Sequence, residues 1–275
     1  MNIKSPLIWF GGKSKYAKHI INRMPPHKIY IEPFGGAAHV IAQKGRANHE
    51  VYNDIDGLVV NFILQCIEKK ELLIDTCSQL PYSRELYERW KSETMPDSEF
   101  ARAVRFFYLN RCGISKGNAD EVPRTGWRHS TTSNQNPADG YVSACSMIDQ
   151  FSRRMRGVMI ERLDFRDIIE KYDAPDALFY IDPPYVGREK YYAGEFSKKD
   201  HEDLARLLQN IKGKAIVSYY EDPMISELYS DWHRESFTAY RQVVGFGKET
   251  KSTELLLMNF EDSQGTIFDH LEESV

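Results

Sequence analysis

Short β-rich apolar runs alternate with helical patterns along most of this 275-residue chain. Five runs that end in polar residues or in Gly and Pro are candidate strands: residues 29–31, 51–52, 177–181, 215–219 and 255–260. Helical patterns are clearest in residues 15–23, 58–69, 99–110, 142–155 and 199–209. Strands that alternate with helices predict an α/β fold with a doubly wound, mostly parallel sheet.

Composition excludes several classes of protein. Apolar residues make up 41% and charged residues 28% of the chain, which is typical of a globular protein that buries a sizeable core. The four cysteines form no CxxC pair, so neither a zinc knuckle nor a disulfide framework is indicated. The first apolar run is broken by Pro6 and by two glycines, and no later run is long enough to span a bilayer. We therefore expect a cytoplasmic protein without a membrane segment.

The charge is unevenly distributed. The formal net charge is -4, yet residues 101–162 contain ten Lys or Arg against five Asp or Glu, a net +5. Within them, residues 115–141 have almost no apolar periodicity and interleave basic residues with one tryptophan: Lys116, Arg124, Trp127 and Arg128. Such a pattern is typical of a nucleic-acid surface, although a solvated helix face rich in arginine would give the same charge. We interpret residues 71–159 as an insertion into the sheet domain.

Two glycine pairs follow or precede candidate strands. In WFGGKSK, residues 9–15, a phosphate loop would need a further glycine at position 7, which is Leu, so an ATPase is not favoured. In IEPFGGAA, residues 31–38, the small residues allow a ligand to approach the backbone but lack the GxGxxG spacing for pyrophosphate. A cofactor without phosphates fits this loop better, and a tight turn packed for its own sake is the alternative.

Two acids lie just after candidate strands. Asp54, in VYNDID, can accept hydrogen bonds from ribose hydroxyls, or it can cap the next helix. Asp182, in LFYIDPPY, is predicted at the carboxyl end of a buried strand. Pro183 and Pro184 donate no backbone hydrogen bonds, which leaves acceptors in excess, and Tyr185 offers a ring for stacking. These features predict a clamp for an amino group on a planar heterocycle, without a metal.

Eight motifs together resemble those of the Dam-type (alpha-group) DNA adenine-N6 methyltransferases, which use S-adenosylmethionine. They occur in that family's order: LIWFGGK, IEPFGGAA, YNDID, AVRFFYLNRCG, LDF, YIDPPY, FSKKDHEDLARLL and ELLLMNF. The resemblance implies a class I methyltransferase Rossmann-like domain formed by residues 1–70 and 160–262. Residues 71–159 would be an inserted, mainly helical target-recognition domain that binds double-stranded DNA, and residues 263–275 an acidic tail.

The resemblance also implies roles for individual residues. The donor pocket would be formed by Trp9, Lys13, Glu32, Pro33, Phe34, Gly35, Gly36, Asp54, Asp164, Phe165 and Asp182. The flipped target base would be held by Asp182, Pro183, Pro184 and Tyr185. DNA would contact Asn110, Arg111, Lys116, Arg124, Trp127 and Arg128.

The implied activity is methyl transfer to N6 of adenine in DNA. Cytosine N4 is the alternative acceptor, although that activity more often has Ser in place of the Asp. A glutamine acceptor fits less well, because that motif usually begins with Asn. A non-catalytic DNA-binding protein is the alternative from another class.

The residues after NRCG differ from the recognition hairpin of GATC-specific members, so the target sequence does not transfer. The biological role stays open among restriction-modification, phage evasion of host nucleases and gene regulation. The oligomeric state also stays open, with a monomer as one option. We expect a disordered tail, with a short partner-binding turn as the alternative.

Overall fold

The computed structural model describes residues 3–9, 11–114, 126–130, 136–189, 192–242 and 249–261. One sheet in these residues has the strand order β3-β2-β1-β4-β5-β7-β6. Its first five strands are parallel, and β7 runs antiparallel to both β5 and β6. The strands are β1 (Ile29–Glu32), β2 (His49–Asn53), β3 (Met159–Glu161), β4 (Ala177–Ile181), β5 (Lys214–Tyr220), β6 (His233–Gln242) and β7 (Glu249–Met258).

Helices connect the parallel strands, so the predicted α/β fold with a mixed, mostly parallel sheet is confirmed. Polar caps define where several helices begin: Asp56, Ser83 and Ser98 each accept a hydrogen bond from a backbone N–H of the following first turn. The helices are α1 (Ala17–Ile21), α2 (His39–Gln43), α3 (Gly57–Glu68), α4 (Lys70–Gln79), α5 (Arg84–Ser92), α6 (Glu99–Cys112), α7 (Pro137–Met155), α8 (Phe165–Tyr172), α9 (Lys198–Leu208) and α10 (Pro223–Leu228).

The start of α7 differs from the predicted one. The pattern of apolar residues predicts a helix from residue 142, but the helix begins at Pro137, with the Asn136 side chain accepting from the Ala138 N–H. Proline is favoured in the first turn because the missing N–H would have no intrahelical partner. Residues 137–141, which were predicted to lack apolar periodicity, are therefore helical.

Strand β4 lies between β1 and β5 and is buried along its whole length. This position explains its uninterrupted apolar sequence, because a central parallel strand is covered by helices on both faces. The register pairs Ile31 with both Val51 and Phe179. Consequently the segments that follow β1, β2 and β4 leave the sheet at the same edge.

One apolar core joins a sheet face to the helices α3 to α7. Tyr30 and Tyr180 of the sheet belong to the same buried cluster as Phe62, Phe107 and Ile148 of the helices. The rings of Phe62 and Phe107 stack at a centroid distance of 5.4 Å. The helices of the predicted insertion thus pack onto the sheet through a shared core, and their role in target recognition stays a prediction.

Candidate active site

A cavity lies at the sheet edge where β1, β2 and β4 end. Asn53 fixes the surrounding loops, since its amide donates to the backbone oxygens of Pro33 and Leu163 and accepts from the Leu163 N–H. Five separate motifs converge on this cavity, which is lined by all eleven residues predicted for the donor pocket: Trp9, Lys13, Glu32, Pro33, Phe34, Gly35, Gly36, Asp54, Asp164, Phe165 and Asp182. Their convergence is a property of the structure, whereas their role in binding a donor stays a prediction.

The glycine loop after β1 has no room for side chains. A Cβ atom on Gly35 would lie 2.2 Å from the ring of Tyr52, and one on Gly36 would lie 2.5 Å from Nε1 of Trp9. Gly36 also has a positive φ of 47°, a conformation that favours glycine. The Tyr52 hydroxyl donates to the Gly36 carbonyl at 2.6 Å. The loop is therefore a closely packed turn that leaves backbone groups accessible along the cavity.

Asp54 is held by backbone N–H groups at the cavity wall. Its two carboxylate oxygens accept from Gly36 N at 2.7 Å and from Asp56 N at 2.9 Å. Burial raises the pKa of Asp54 to about 6, against the lowering effect of these hydrogen bonds. The alternative role of Asp54 as a helix cap is wrong, because Asp56 caps α3 by accepting from the Leu58 N–H. Asp54 is thus available to a ligand in the cavity.

Three phenylalanine rings form an apolar wall of the cavity. Phe34 lies 5.4 Å from Phe165 and 5.8 Å from Phe196, measured between ring centroids. The guanidinium of Arg166 lies 4.3 Å from the Phe165 ring, and Asp164 and Asp200 are among the carboxylates to which it donates. Because flat rings pack well against such a wall, this part of the cavity suits a heterocycle.

Lys13 is the centre of a buried polar network at the other end of the cavity. Its ammonium lies 2.7 Å from Oδ1 of Asp182, 2.7 Å from the Tyr185 hydroxyl and 3.0 Å from the Gly11 carbonyl. A second carboxylate, Glu254 of β7, lies 3.0 Å from the same ammonium. The Tyr185 hydroxyl donates to Glu254 at 2.8 Å. Groups from three separate segments of the chain therefore meet at one point.

The charges in this network shift each other's protonation. Burial by itself lowers the pKa of Lys13, but the carboxylates of Asp182 and Glu254 raise it well above the ordinary value. Burial raises the pKa of Asp182, and the positive charge of Lys13 limits that rise. The side chain of Asp182 is 20% exposed, compared with 4% for Lys13 and 3% for Glu254. Asp182 is accordingly the member of the network that a ligand can reach.

Tyr185 occupies a different position from the one its predicted role implies. It is 4% exposed, and its ring packs edge-on against Tyr220 at 4.5 Å and in a tilted arrangement against Tyr219 at 5.6 Å. Pro184 lines the cavity, whereas Tyr185 and the buried Pro183 do not. Stacking of a base on Tyr185 stays a prediction that requires the ring to be uncovered.

Sequence reasoning assigned no site role to several groups, among them Phe196 of the aromatic wall, Tyr192 of the cavity lining and Glu254 of the Lys13 network. Glu254 belongs to the motif ELLLMNF, in which an acid precedes an apolar strand, and that acid was the available signal. Tyr192 lines the cavity, and its hydroxyl lies 2.9 Å from the position that a Cβ atom on Gly11 would take. Burial raises the pKa of Tyr192, and so does the nearby negative charge of Asp182. Nothing in the local sequence distinguishes this tyrosine from a surface residue.

Asn110, which is predicted to contact DNA, is buried in the structure, and that contact stays a prediction. It is 7% exposed, and its amide bonds the backbone N–H and carbonyl of Ile8 at 2.9 Å and 2.7 Å. Through these two hydrogen bonds, the Asn110 side chain links α6 to the backbone at Ile8. Its place on a helix next to Arg111 gave no indication of this contact, which joins residues far apart in the sequence.

The other predicted DNA contacts are differently placed. Arg111 donates to the Gly140 carbonyl at 2.8 Å, and burial lowers its pKa to about 10. The Trp127 ring packs on Tyr82 at 4.3 Å, so much of it is covered by protein. Arg128 is half-buried. Lys116 and Arg124 lie outside the described residues, as does the acidic tail.

The sequence from residue 9 to residue 243 matches the family model of the D12 class N6 adenine-specific DNA methyltransferases. The chain belongs to this family. It is therefore an adenine-specific DNA methyltransferase, and nothing favours a cytosine acceptor or a non-catalytic role. The Rossmann-like sheet and the cavity at its carboxyl edge agree with this membership.

Other comparisons add little to the description of this methyltransferase. No curated protein matches its sequence. Among solved structures, precorrin 8w decarboxylase of Methanobacterium thermoautotrophicum is similar with a TM-score of 0.44 and 9% identity, over 95% of this chain and 100% of that one. In the described part of the methyltransferase, no helix has the length and apolar character needed to cross a membrane. The same residues contain no group of three or more potential metal ligands that could hold an ion.

Proposed function

We propose that the methyl donor is S-adenosylmethionine, that it binds in the cavity described above, and that the target adenine enters beside Asp182. The observation that carries the proposal is that four features line one cavity: an aromatic wall, the Asp54 carboxylate, a side-chain-free glycine loop and Asp182. Their chemistry fits a base, a ribose and an amino-acid chain joined through a sulfonium. The absence of the GxGxxG spacing in the glycine loop agrees with a ligand that has no phosphates.

Each part of the cavity has a separate task in donor binding. Asp54 would accept hydrogen bonds from the ribose hydroxyls, since its oxygens retain lone pairs after accepting one backbone bond each. Phe34 and Phe165 would contact the adenine of the donor. Asp164, which caps α8 next to Phe165, would lie near the edge of that adenine. The Gly35–Gly36 backbone would lie along the amino-acid part.

Asp182 would activate the acceptor nitrogen. The lone pair of an exocyclic amine is delocalised into the ring, so the amine is a poor nucleophile. S-adenosylmethionine would supply a methyl group on a positively charged sulfur, which leaves as a neutral thioether when the N6 lone pair takes the carbon. Asp182 and a carbonyl of the Pro183–Pro184 region would accept the two N6 hydrogens, which favours tetrahedral geometry at nitrogen. The surplus proton on N6 would then pass to Asp182 and on to water.

Double-stranded DNA is the proposed substrate, with the adenine flipped out of the helix at a cost of a few kcal/mol. Phosphate contacts from basic residues would offset this cost. Arg111 and Arg128 are the described candidates, and Lys116 and Arg124 remain candidates from the sequence. We propose that Trp127 acts mainly by fixing the backbone around Arg128, because its ring packs on Tyr82.

The proposal is tested by incubating the protein with unmethylated double-stranded DNA and labelled S-adenosylmethionine, followed by digestion to nucleosides. All label is expected in N6-methyldeoxyadenosine. Asp182→Ala should abolish transfer and leave donor affinity, measured by calorimetry, within about threefold, since Asp54 and the aromatic wall would still bind the donor. The matched control is Asp176→Ala, which removes an exposed aspartate just before the opposite end of β4. Label in N4-methyldeoxycytidine, or full activity of Asp182→Ala, would contradict the proposal.

A further inference from the structure

Glu254 is a buried carboxylate that the transfer step described above does not use. It lies on β7 opposite Tyr220 of β5, within the antiparallel part of the sheet. Its side chain is 3% exposed, and its Oε1 atom contacts both the Lys13 ammonium at 3.0 Å and the Tyr185 hydroxyl at 2.8 Å. An ionised side chain is seldom buried to this extent unless it is paired. The ion pair between Glu254 and Lys13 therefore has a structural reason. Its location beside Asp182 points to a second reason, which concerns methyl transfer.

Lys13 has more acceptors than it can use. An ammonium carries three N–H donors, and four oxygens surround it: those of Asp182, Glu254, Tyr185 and Gly11. If one of these oxygens turns to another partner, the ammonium can still make three hydrogen bonds. Of the four groups, only Asp182 is a carboxylate exposed to the cavity. Asp182 is thus the acceptor that Lys13 can release at the least cost.

The same network has an uneven charge. Two carboxylates and one ammonium give a net charge of -1 when all three are ionised. Methyl transfer to N6 places positive charge on the amine as the new bond forms. A preorganised negative charge in a site of low dielectric constant stabilises such a transition state more than it stabilises the neutral base. Without Glu254, the charges of Lys13 and Asp182 would cancel.

We propose that Glu254 is a positioning residue for methyl transfer: it keeps the Lys13 ammonium as its ion-pair partner while the target amino group takes the Asp182 carboxylate. This inference rests on the proposed role of Asp182 as the acceptor for N6. Tyr185 assists by donating to Glu254 and accepting from Lys13, which fixes the angle between the two. Glu254 acts through Lys13 and does not itself contact the base.

The decisive measurement is a double-mutant cycle on the single-turnover methylation rate with saturating donor and DNA. Glu254→Gln removes the charge with little change of shape and should slow transfer by at least about tenfold, with donor affinity within about threefold. Lys13→Met removes the ammonium. The variant with both changes should be no slower than Lys13→Met alone, because Glu254 then has no ammonium to retain. A merely structural role would lower the fraction of folded protein and leave the rate per folded molecule unchanged.

The matched control is Glu235→Gln on β6, where the carboxylate pairs with Arg23 and lies outside the cavity; its rate should stay within about twofold of the wild type. Should Glu254→Gln fail to fold, Glu254→Asp replaces it in the cycle. That variant keeps the negative charge but moves it back by one methylene group. We expect a several-fold loss of the methylation rate, and this loss should disappear in the Lys13→Met background.

Two outcomes would overturn the inference. One is a wild-type rate for the folded Glu254 variant, and the other is a multiplicative loss when it is combined with Lys13→Met. Failure of the proposed function looks different, because wild-type protein would then leave adenine unlabelled or Asp182→Ala would remain active. Adenine labelling that depends on Asp182 but not on Glu254 rejects this inference alone.

Discussion

The side-chain amide of Asn110 makes hydrogen bonds to both backbone groups of Ile8, accepting from the N–H at 2.9 Å and donating to the carbonyl at 2.7 Å. Ile8 directly precedes Trp9, which lines the donor cavity, and Lys13 follows in the same segment. Asn110 therefore connects helix α6 to the segment that completes the cavity. A contact of α6 with DNA would therefore lie two covalent or hydrogen-bonded steps from the donor site.

Replacing Asn110 by Ala should weaken donor binding more than DNA binding. The variant loses two hydrogen bonds and leaves the Ile8 groups unpaired, which should cost about 1–3 kcal/mol of stability. Calorimetry with S-adenosylmethionine should give a lower affinity, while the salt dependence of DNA binding should be unchanged because no charge is lost. Asn110→Asp is the control, since it retains the acceptor but not the donor. Intact donor binding together with weaker DNA binding would instead support Asn110 as a DNA contact.

Arg128→Gln should weaken DNA binding by a similar factor at all sequences. Arg128 is half-buried next to the anchored Trp127, so its charge is held in place. Loss of one phosphate contact should reduce the slope of log affinity against log salt by about 1. Arg153→Gln, which removes a 70% exposed arginine of α7, is the control. Equal slopes for the two variants would show that Arg128 is only a surface charge.

Donor affinity should decrease as the pH falls through about 6, the pKa to which burial raises Asp54. The ionised carboxylate accepts ribose hydroxyls well, and the protonated form, favoured below that pKa, accepts them poorly. Calorimetry from pH 5 to pH 8 checks this decrease. Asp54→Asn should bind weakly and with little pH dependence over the same range. A pH-dependent decrease that persists in this variant would assign the titration to another group.

Arg154→Met should destabilise the protein by about 3 kcal/mol, because it removes one partner of a buried ion pair. Arg154 of α7 donates to both oxygens of Glu50 on β2, at 2.7 Å and 2.8 Å, and Lys44 adds a contact at 2.9 Å. Chemical denaturation measures the loss. Adding Glu50→Gln should recover none of it, since the buried Lys44 ammonium then loses its carboxylate partner. A loss of similar size in Arg153→Met, at the exposed neighbouring position, would contradict this explanation.

The strands that sequence patterns predicted are those with continuous apolar residues. Strand β4 was predicted with its observed bounds, because both of its faces are buried and its sequence reflects that. Strands β3 and β6 were not predicted. Each lies at an edge of the sheet and pairs on one side only, so a sequence without a continuous apolar run, such as HRESFTAYRQ, is sufficient there. The left-handed backbone conformation of Ala38, the residue before α2, is likewise not indicated by the local sequence.

The sequence by itself determined the alternation of strands and helices and the position of Asp182 at the end of a buried strand, since both depend on residues close together along the chain. Only the tertiary structure decided that Glu254 shares Lys13 with Asp182 and that Asn110 bonds to Ile8. The Lys13–Asp182 and Asn110–Ile8 contacts join residues 169 and 102 positions apart. Such pairs are brought together by packing of the sheet and helices. Local patterns of apolar and polar residues do not indicate which distant partner a buried polar group will contact.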